Sequence, residues 1–538
     1  MENKLKIALT FSGGGYRAAT FHLGALSYLH TIKTGESTLL ENVVALSTIS
    51  GGTITGLRYM LGLTRGEPVN EIFSDLYHFF TQIDLATVAM DNLSEYGEEQ
   101  CASLIRTMAD VYNTELFKGA VLGDLMDKIN DIHIRHFAAN ATDFTNGLAF
   151  RFQATENTGT KPGTTSGYGI VGNNKIRIPR EVARHIRLSE ILACSSCFPS
   201  GFEPLVFPKD FVLGDSEEVK NYISKIEPFG IMDGGVVDNQ GIEPIILAEE
   251  RMARCAGSTD GKCLDLVIIS DVASPYMNAY APSDFCLPKS IGNLSLKKLS
   301  GRLWIAGIVS TGIVAASYIF TSFSFLSGFL TALWVLLVGI FIAYTVLKKK
   351  LIRIAKMTVI QDSIPSVLNL RFKDIATLAA NRLSSVLLLV SSVFMKHLRR
   401  MGYRSVYQDD TWYNRTMMNG VYELRPGESW ISKLKYGQLP EYLRPGDAIQ
   451  QNSQKAASMG TTLWFTQQEK ETGMPDALIA AGQYTICWNL LEYIEDIKKD
   501  PTNTNEHHQQ IMACEEQLRK DWEEFQQNPL CKLDEWKK

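Results

Sequence analysis

From Leu303 to Leu347 the chain runs for 45 residues without Asp, Glu, Lys, Arg or His. A helix needs about 20 apolar residues to cross the hydrocarbon of a bilayer, so this stretch is too long for one crossing and suits two. Leu303–Phe320 and Phe329–Leu347 fit as the two arms, with Thr321–Gly328 as the turn. Basic residues bracket it: Lys297, Lys298 and Arg302 before, Lys348, Lys349, Lys350 and Arg353 after. Positive flanks favour the cytosolic side, and both can lie there only if the number of crossings is even. The competing reading, a buried hairpin in a soluble core, would need protein around every face of two helices that are apolar all round.

The rest of the chain has ordinary globular character. With 538 residues, 45% of them hydrophobic, it can bury a large core or several domains. A net charge of −5 leaves no electrostatic footprint for nucleic acid. The nine cysteines are odd in number and irregularly spaced, which predicts reduced thiols rather than a disulfide framework. Cys194-Ser-Ser-Cys197 has metal-knuckle spacing but no second pair, so core thiols are expected there. The short apolar run at the start, Leu5 to Thr10, is too brief for a signal sequence, and a cytosolic start is expected.

Strand and helix patterns alternate. Lys6–Phe11 predicts a buried strand, Ser12–Gly15 a glycine turn and Tyr16–Leu29 a helix; Val43–Leu46, Ser47–Gly52 and Thr53–Leu61 repeat that order. Helices are expected over Glu71–Ile132, and strands over His136–Phe152 with a turn at Thr145–Gly147. Further strands fit Pro228–Met232 and Leu264–Asp271, around a helix at Pro244–Ala256. This order predicts an α/β sandwich, three layers α/β/α, with a mainly parallel central sheet. Beyond the apolar insert, a helix at Ile375–Arg400 is expected to pack in the core, because its apolar run Ser385–Phe394 is too short to span. Gly420–Leu424 and Leu463–Thr466 read as strands and Pro475–Ile494 as an amphipathic helix. The polar tail from Lys498 reads as a surface helix or appendage.

Three segments carry chemistry. Ser12-Gly13-Gly14-Gly15-Tyr16-Arg17 joins a strand to a helix, so consecutive backbone N–H groups can face an anion at a helix N-terminus. It lacks the Lys-Ser/Thr of a phosphate-binding loop and the Gly-x-Gly-x-x-Gly of a dinucleotide site. Ser47-Thr48-Ile49-Ser50-Gly51-Gly52 is close to the nucleophile elbow Gly-x-Ser-x-Gly, with Ser50 at the nucleophile position but Thr48 in place of the first glycine. Asp233-Gly234-Gly235 follows a strand and can set Asp233 in a cleft as a base. Taken singly, each segment also fits a plain structural turn.

In this order, each at a strand end, the three segments resemble the patatin-like phospholipase superfamily. Asn140-Ala-Thr-Asp143 and the segment from Ala193 to Pro199 add to the likeness, which covers about residues 5–275. The resemblance implies a Ser50–Asp233 dyad without histidine, an oxyanion hole from Gly13, Gly14 and Gly15, and Arg17 as a holder of the lipid phosphate. It implies a phospholipase A or lysophospholipase acting through an acyl-enzyme, with membrane phospholipid as substrate, no nucleic acid partner, and no metal or other cofactor. A Ser-Asp-His triad is the rival enzyme reading, and it would need His397, His507 or His508. A catalytically inactive membrane scaffold or lipid-binding protein is the non-enzyme reading. The expected organisation is a catalytic domain over 1–295 and 354–497, interrupted by a two-helix transmembrane hairpin over 296–353, with a tail over 498–538. The catalytic domain is expected on the cytoplasmic side. Head-group preference and oligomeric state are not legible.

Overall fold

The computed structural model describes residues 4–95, 103–157, 168–199, 201–256, 262–277, 280–285, 287–321, 325–357, 369–427, 429–499 and 505–537. The chain divides into two compact units: Met1–Tyr276 joined by Phe394–Lys538, and Met277–Val393.

The first unit is an α/β fold around one 10-stranded sheet. Its main strands are β1 (Ile7–Phe11), β2 (Val43–Ile49), β3 (His136–Asp143), β4 (Leu148–Thr155), β5 (Phe229–Asp233), β6 (Leu266–Asp271) and β7 (Thr416–Gly420). β7, β6, β1, β2 and β3 lie side by side in that order, each parallel to its neighbour; β4 and β5 both run antiparallel to β3. The last strand thus falls at Thr416–Gly420, just before the predicted Gly420–Leu424, and Leu463–Thr466 is a loop rather than a strand.

Alternation along the strands separates two apolar faces. Ile7, Leu9 and Phe11 join the large core with α1 (Gly15–Thr31), α2 (Gly51–Arg65) and α3 (Leu188–Ser196). Ala8, Ala45, Val267 and Ile269 join a smaller one with Ile242 and Ile245 of α4 (Ile242–Ala256).

The second unit holds α5 (Leu296–Thr321) and α6 (Phe325–Met357). They pack on each other through Trp304 against Phe341 and through the Trp334 indole N–H on Thr311 Oγ1 at 2.9 Å. The middle of the expected turn, residues 322–324, lies outside the described residues. A third helix, α7 (Phe372–Tyr407), passes from this unit into the first. Its run through Phe394 was expected in the core, yet between Phe372 and Phe394 no side chain is buried. Among the described residues three helices, not two, are therefore long and apolar enough to cross a membrane.

The C-terminal part belongs to the first unit's core. α8 (Met474–Lys499) is buried along most of its length against α1, where Gly24 and Gly482 allow backbone contact: a Cβ on Gly482 would stand 2.0 Å from Phe21 O. The polar tail is not an appendage. Leu518, Trp522, Phe525 and Leu533 enter the same core, where buried Asp521 also accepts the Tyr28 hydroxyl at 3.0 Å.

Candidate active site

The sheet register brings two distant segments together. β4 occupies one edge of β3 along its whole length, leaving the other edge to β2 and β5. β2 ends with Ile49 opposite Asn140, and β5 ends with Asp233 opposite Ala141. The two strands approach from opposite directions along that edge and stop one residue apart. Ser50, the next residue of β2, therefore meets Asp233 head-on.

Ser50 has φ +49°, a conformation that is rare for a residue with a side chain and that lifts it out of the strand. Two contacts hold it. Its backbone N–H donates to Ser195 Oγ at 2.9 Å, and Ser195 Oγ in turn donates to Asn140 O at 2.7 Å. Gly51 fits only as glycine, since a Cβ there would lie 1.9 Å from Gly15 O. The elbow and the glycine loop thus touch backbone to backbone. Thr48, where an elbow usually has glycine, is accommodated by Gly56 one turn into α2, whose missing side chain leaves room for the Thr48 methyl.

Asp233 accepts a hydrogen bond from the Gly235 N–H at 2.7 Å. It is 2% exposed. Burial raises its pKa to about 7, and the Gly235 N–H and the neighbouring Ser50 hydroxyl offset only part of that rise.

The glycine loop lies against Ser50: a Cβ on Gly13 would be 3.2 Å from Ser50 Cβ. Gly14 and Gly15 have φ of +149° and +61°, which glycine adopts without strain. Of the three N–H groups expected to face an oxyanion, that of Gly13 already donates to Asn239 O at 3.1 Å. Gly14 and Gly15 carry the two that are unpaired among the described residues. Beneath the loop, His22 stacks on Phe11 and lies 3.0 Å from Ser270 Oγ and 3.2 Å from Ser12 O; burial lowers its pKa to about 3, so it stays neutral.

Arg17, expected to hold a lipid phosphate, lies in the first turn of α1, and its guanidinium donates to Met459 O at 2.7 Å, Tyr422 OH at 3.0 Å and Thr461 Oγ1 at 3.3 Å. It ties the glycine loop to the 459–462 segment, whose Thr462 O accepts the Tyr16 N–H. The histidines considered for a triad have other surroundings: His507 is 3.2 Å from Asp265, His508 packs on Tyr493, and His397 is exposed. Sequence reasoning missed Ser195 and Asn239. The one signal for Ser195 was its place in the Ala193–Pro199 segment, and nothing local marked either as a neighbour of Ser50.

Compared with family models, residues 9–246 match that of the patatin-like phospholipases. Compared with curated proteins, the chain finds no match.

Proposed function

Because the chain carries a patatin-like phospholipase domain over residues 9–246, we propose that it is a membrane-anchored lipid acyl hydrolase of phospholipase A or lysophospholipase type. Asp233 takes the Ser50 proton as Ser50 Oγ attacks the ester carbonyl carbon, and the carbonyl oxygen becomes an oxyanion. The N–H groups of Gly14 and Gly15 stabilise that charge; losing one such donor typically costs about 10²–10³ in rate. Collapse expels the alcohol, which recovers the proton from Asp233. Water, deprotonated by the same carboxylate, then frees the fatty acid and restores Ser50. The observation that carries this reading is the end-to-end meeting of β2 and β5 along β3, which sets Ser50 beside Asp233, a carboxylate poised near neutrality.

Anchoring rests on α5 and α6, whose apolar segments of 24 and 22 residues suffice to span a bilayer. Strands β6 and β7 precede and follow the three apolar helices, yet they are hydrogen-bonded neighbours in one sheet. Both must lie on the same side of any membrane, which favours an even number of crossings. The basic residues before α5 and near the end of α6 favour the cytoplasmic side.

Covalent labelling with a fluorophosphonate, followed by lipid mass spectrometry of membranes carrying the wild type or Ser50→Ala, tests the activity. The expected result is Ser50-dependent labelling and release of fatty acid from glycerolipid. An unlabelled, inert wild type would instead indicate a lipid-binding scaffold.

A further inference from the structure

If α5 and α6 both cross, α7 cannot. Three crossings would put β6 and β7 on opposite sides of the bilayer, although they pair over five residues from Val267–Thr416 to Asp271–Gly420. The membrane reading above therefore leaves an exposed apolar helix with no crossing to make.

Several features of α7 agree with that exclusion. Its uncharged run is only Leu383 to Met395, between Arg382 and Lys396. At 1.5 Å per residue this is about 20 Å, so a crossing by α7 would carry Arg382 or Lys396 into the roughly 30 Å of hydrocarbon. The run is also broken by polar residues: Leu383, Val386 and Leu387 recur at helical spacing, while Ser384, Ser385, Ser391 and Ser392 interrupt it. Leu383 is 62% exposed and Phe394 51%. Exposed cations, Arg382, Arg400 and Arg404, flank the run, as expected for a helix lying among lipid phosphates.

Where the run ends, the first unit takes hold of the helix. Lys396 Nζ donates to Ser274 O at 2.6 Å, Arg399 pairs with Asp271 at 2.7 Å, and Tyr403 OH donates to Asp271 at 2.9 Å. Immediately before these anchors, Met395 reaches the catalytic loop: its Cε would be 3.2 Å from a Cβ on Gly235, the residue whose N–H holds Asp233. The apolar face thus ends one residue short of a side chain that touches the general base's own turn.

We propose that Leu383–Phe394 is an interfacial segment, lying in the lipid surface on the side of the membrane that holds the catalytic unit. The proposal rests on the two-crossing reading, and the experiment separates the two. Protease-cleavable tags are placed in the full-length chain at the α5–α6 turn, directly after Met357, and at the C-terminus, then probed from one side of sealed membranes. The turn tag is expected on the opposite side from the other two. A turn tag on the same side as the C-terminus would defeat the hairpin reading, and a tag after Met357 on the opposite side would overturn the proposal by making α7 a crossing helix. In detergent-free proteoliposomes of phosphatidylcholine and phosphatidylglycerol, Leu383→Gln/Val386→Gln/Leu387→Gln is expected to lower the ratio of kcat/KM on bilayer lipid to kcat/KM on a soluble short-chain ester by about tenfold. An unchanged ratio, or an altered oligomeric state showing that a second copy covers this face, would overturn the interfacial role. Absence of Ser50 labelling would instead defeat the hydrolase reading and leave the tag result standing.

Discussion

Asp233 ends β5 where Ser50 follows the end of β2, so the carboxylate and the hydroxyl are neighbours, and burial raises the Asp233 pKa to about 7. A base with that pKa works only when ionised, so the reaction it serves should switch on near neutrality. For a soluble ester, kcat/KM is expected to rise about tenfold per pH unit below 7 and to level off above it, following one ionisation. A pH profile flat between 5 and 8 would exclude Asp233 as the titrating base.

The same shift has a cost in stability. Between about pH 4 and pH 7 the unfolded chain has lost the Asp233 proton while the folded protein keeps it. Folding therefore loses stability as pH rises through that window, and the loss is complete above 7. Asp233→Asn removes the buried charge and keeps an acceptor for the Gly235 N–H. The variant should be inactive yet melt higher than wild type, by about 3 °C or more at pH 8 and by much less at pH 4.5. Paired thermal unfolding scans at the two pH values check the sign.

In the proposed mechanism Ser195 positions Ser50. Its hydroxyl receives the Ser50 N–H and also lies 2.9 Å from Thr53 Oγ1. Ser195→Ala leaves that N–H buried without a partner, a cost of about 1–3 kcal/mol at the point where the backbone holds φ +49°. The expected outcome is a kcat lowered about 10- to 100-fold with KM nearly unchanged, as steady-state kinetics on a soluble ester would report. A purely structural role would lower the melting temperature and leave kcat intact.

The strand-end motifs were legible because each combines an apolar run with small residues that only a sharp turn explains. Ser50, Asp233 and the glycines needed no knowledge of which strands pair. Arg17, Gly13 and Asn239 were not legible in the same way. Arg17 is fixed by a carbonyl 442 residues away in sequence, and the Gly13 N–H by Asn239, which follows β5. Composition also misled at α7. An apolar run too short to span suggests core packing when read along the chain, and only the three-dimensional fold reveals that none of its side chains is buried among the described residues. In the tail, the charged surface dominates the composition and conceals Trp522 and Phe525, which complete the core beside Tyr28.

Arg17 allows a decision between two roles by substrate. A guanidinium that held a lipid phosphate would matter for phospholipid and be dispensable for a neutral ester. A guanidinium that instead bonds Met459 O, Tyr422 OH and Thr461 Oγ1 holds the start of α1, and with it Gly14 and Gly15, against the 459–462 segment. Burial already lowers its pKa, so the charge is retained at a cost that these bonds offset. Arg17→Met removes the donors and leaves the Met459 carbonyl without its side-chain partner. It is expected to reduce turnover of phospholipid and of a neutral short-chain ester by the same factor, about 10-fold or more, and to lower the melting temperature. Arg17→Lys, which restores one donor to Met459 O, should recover part of both activities together. Selective loss on phospholipid, with the neutral ester and the melting temperature unaffected, would return Arg17 to the substrate.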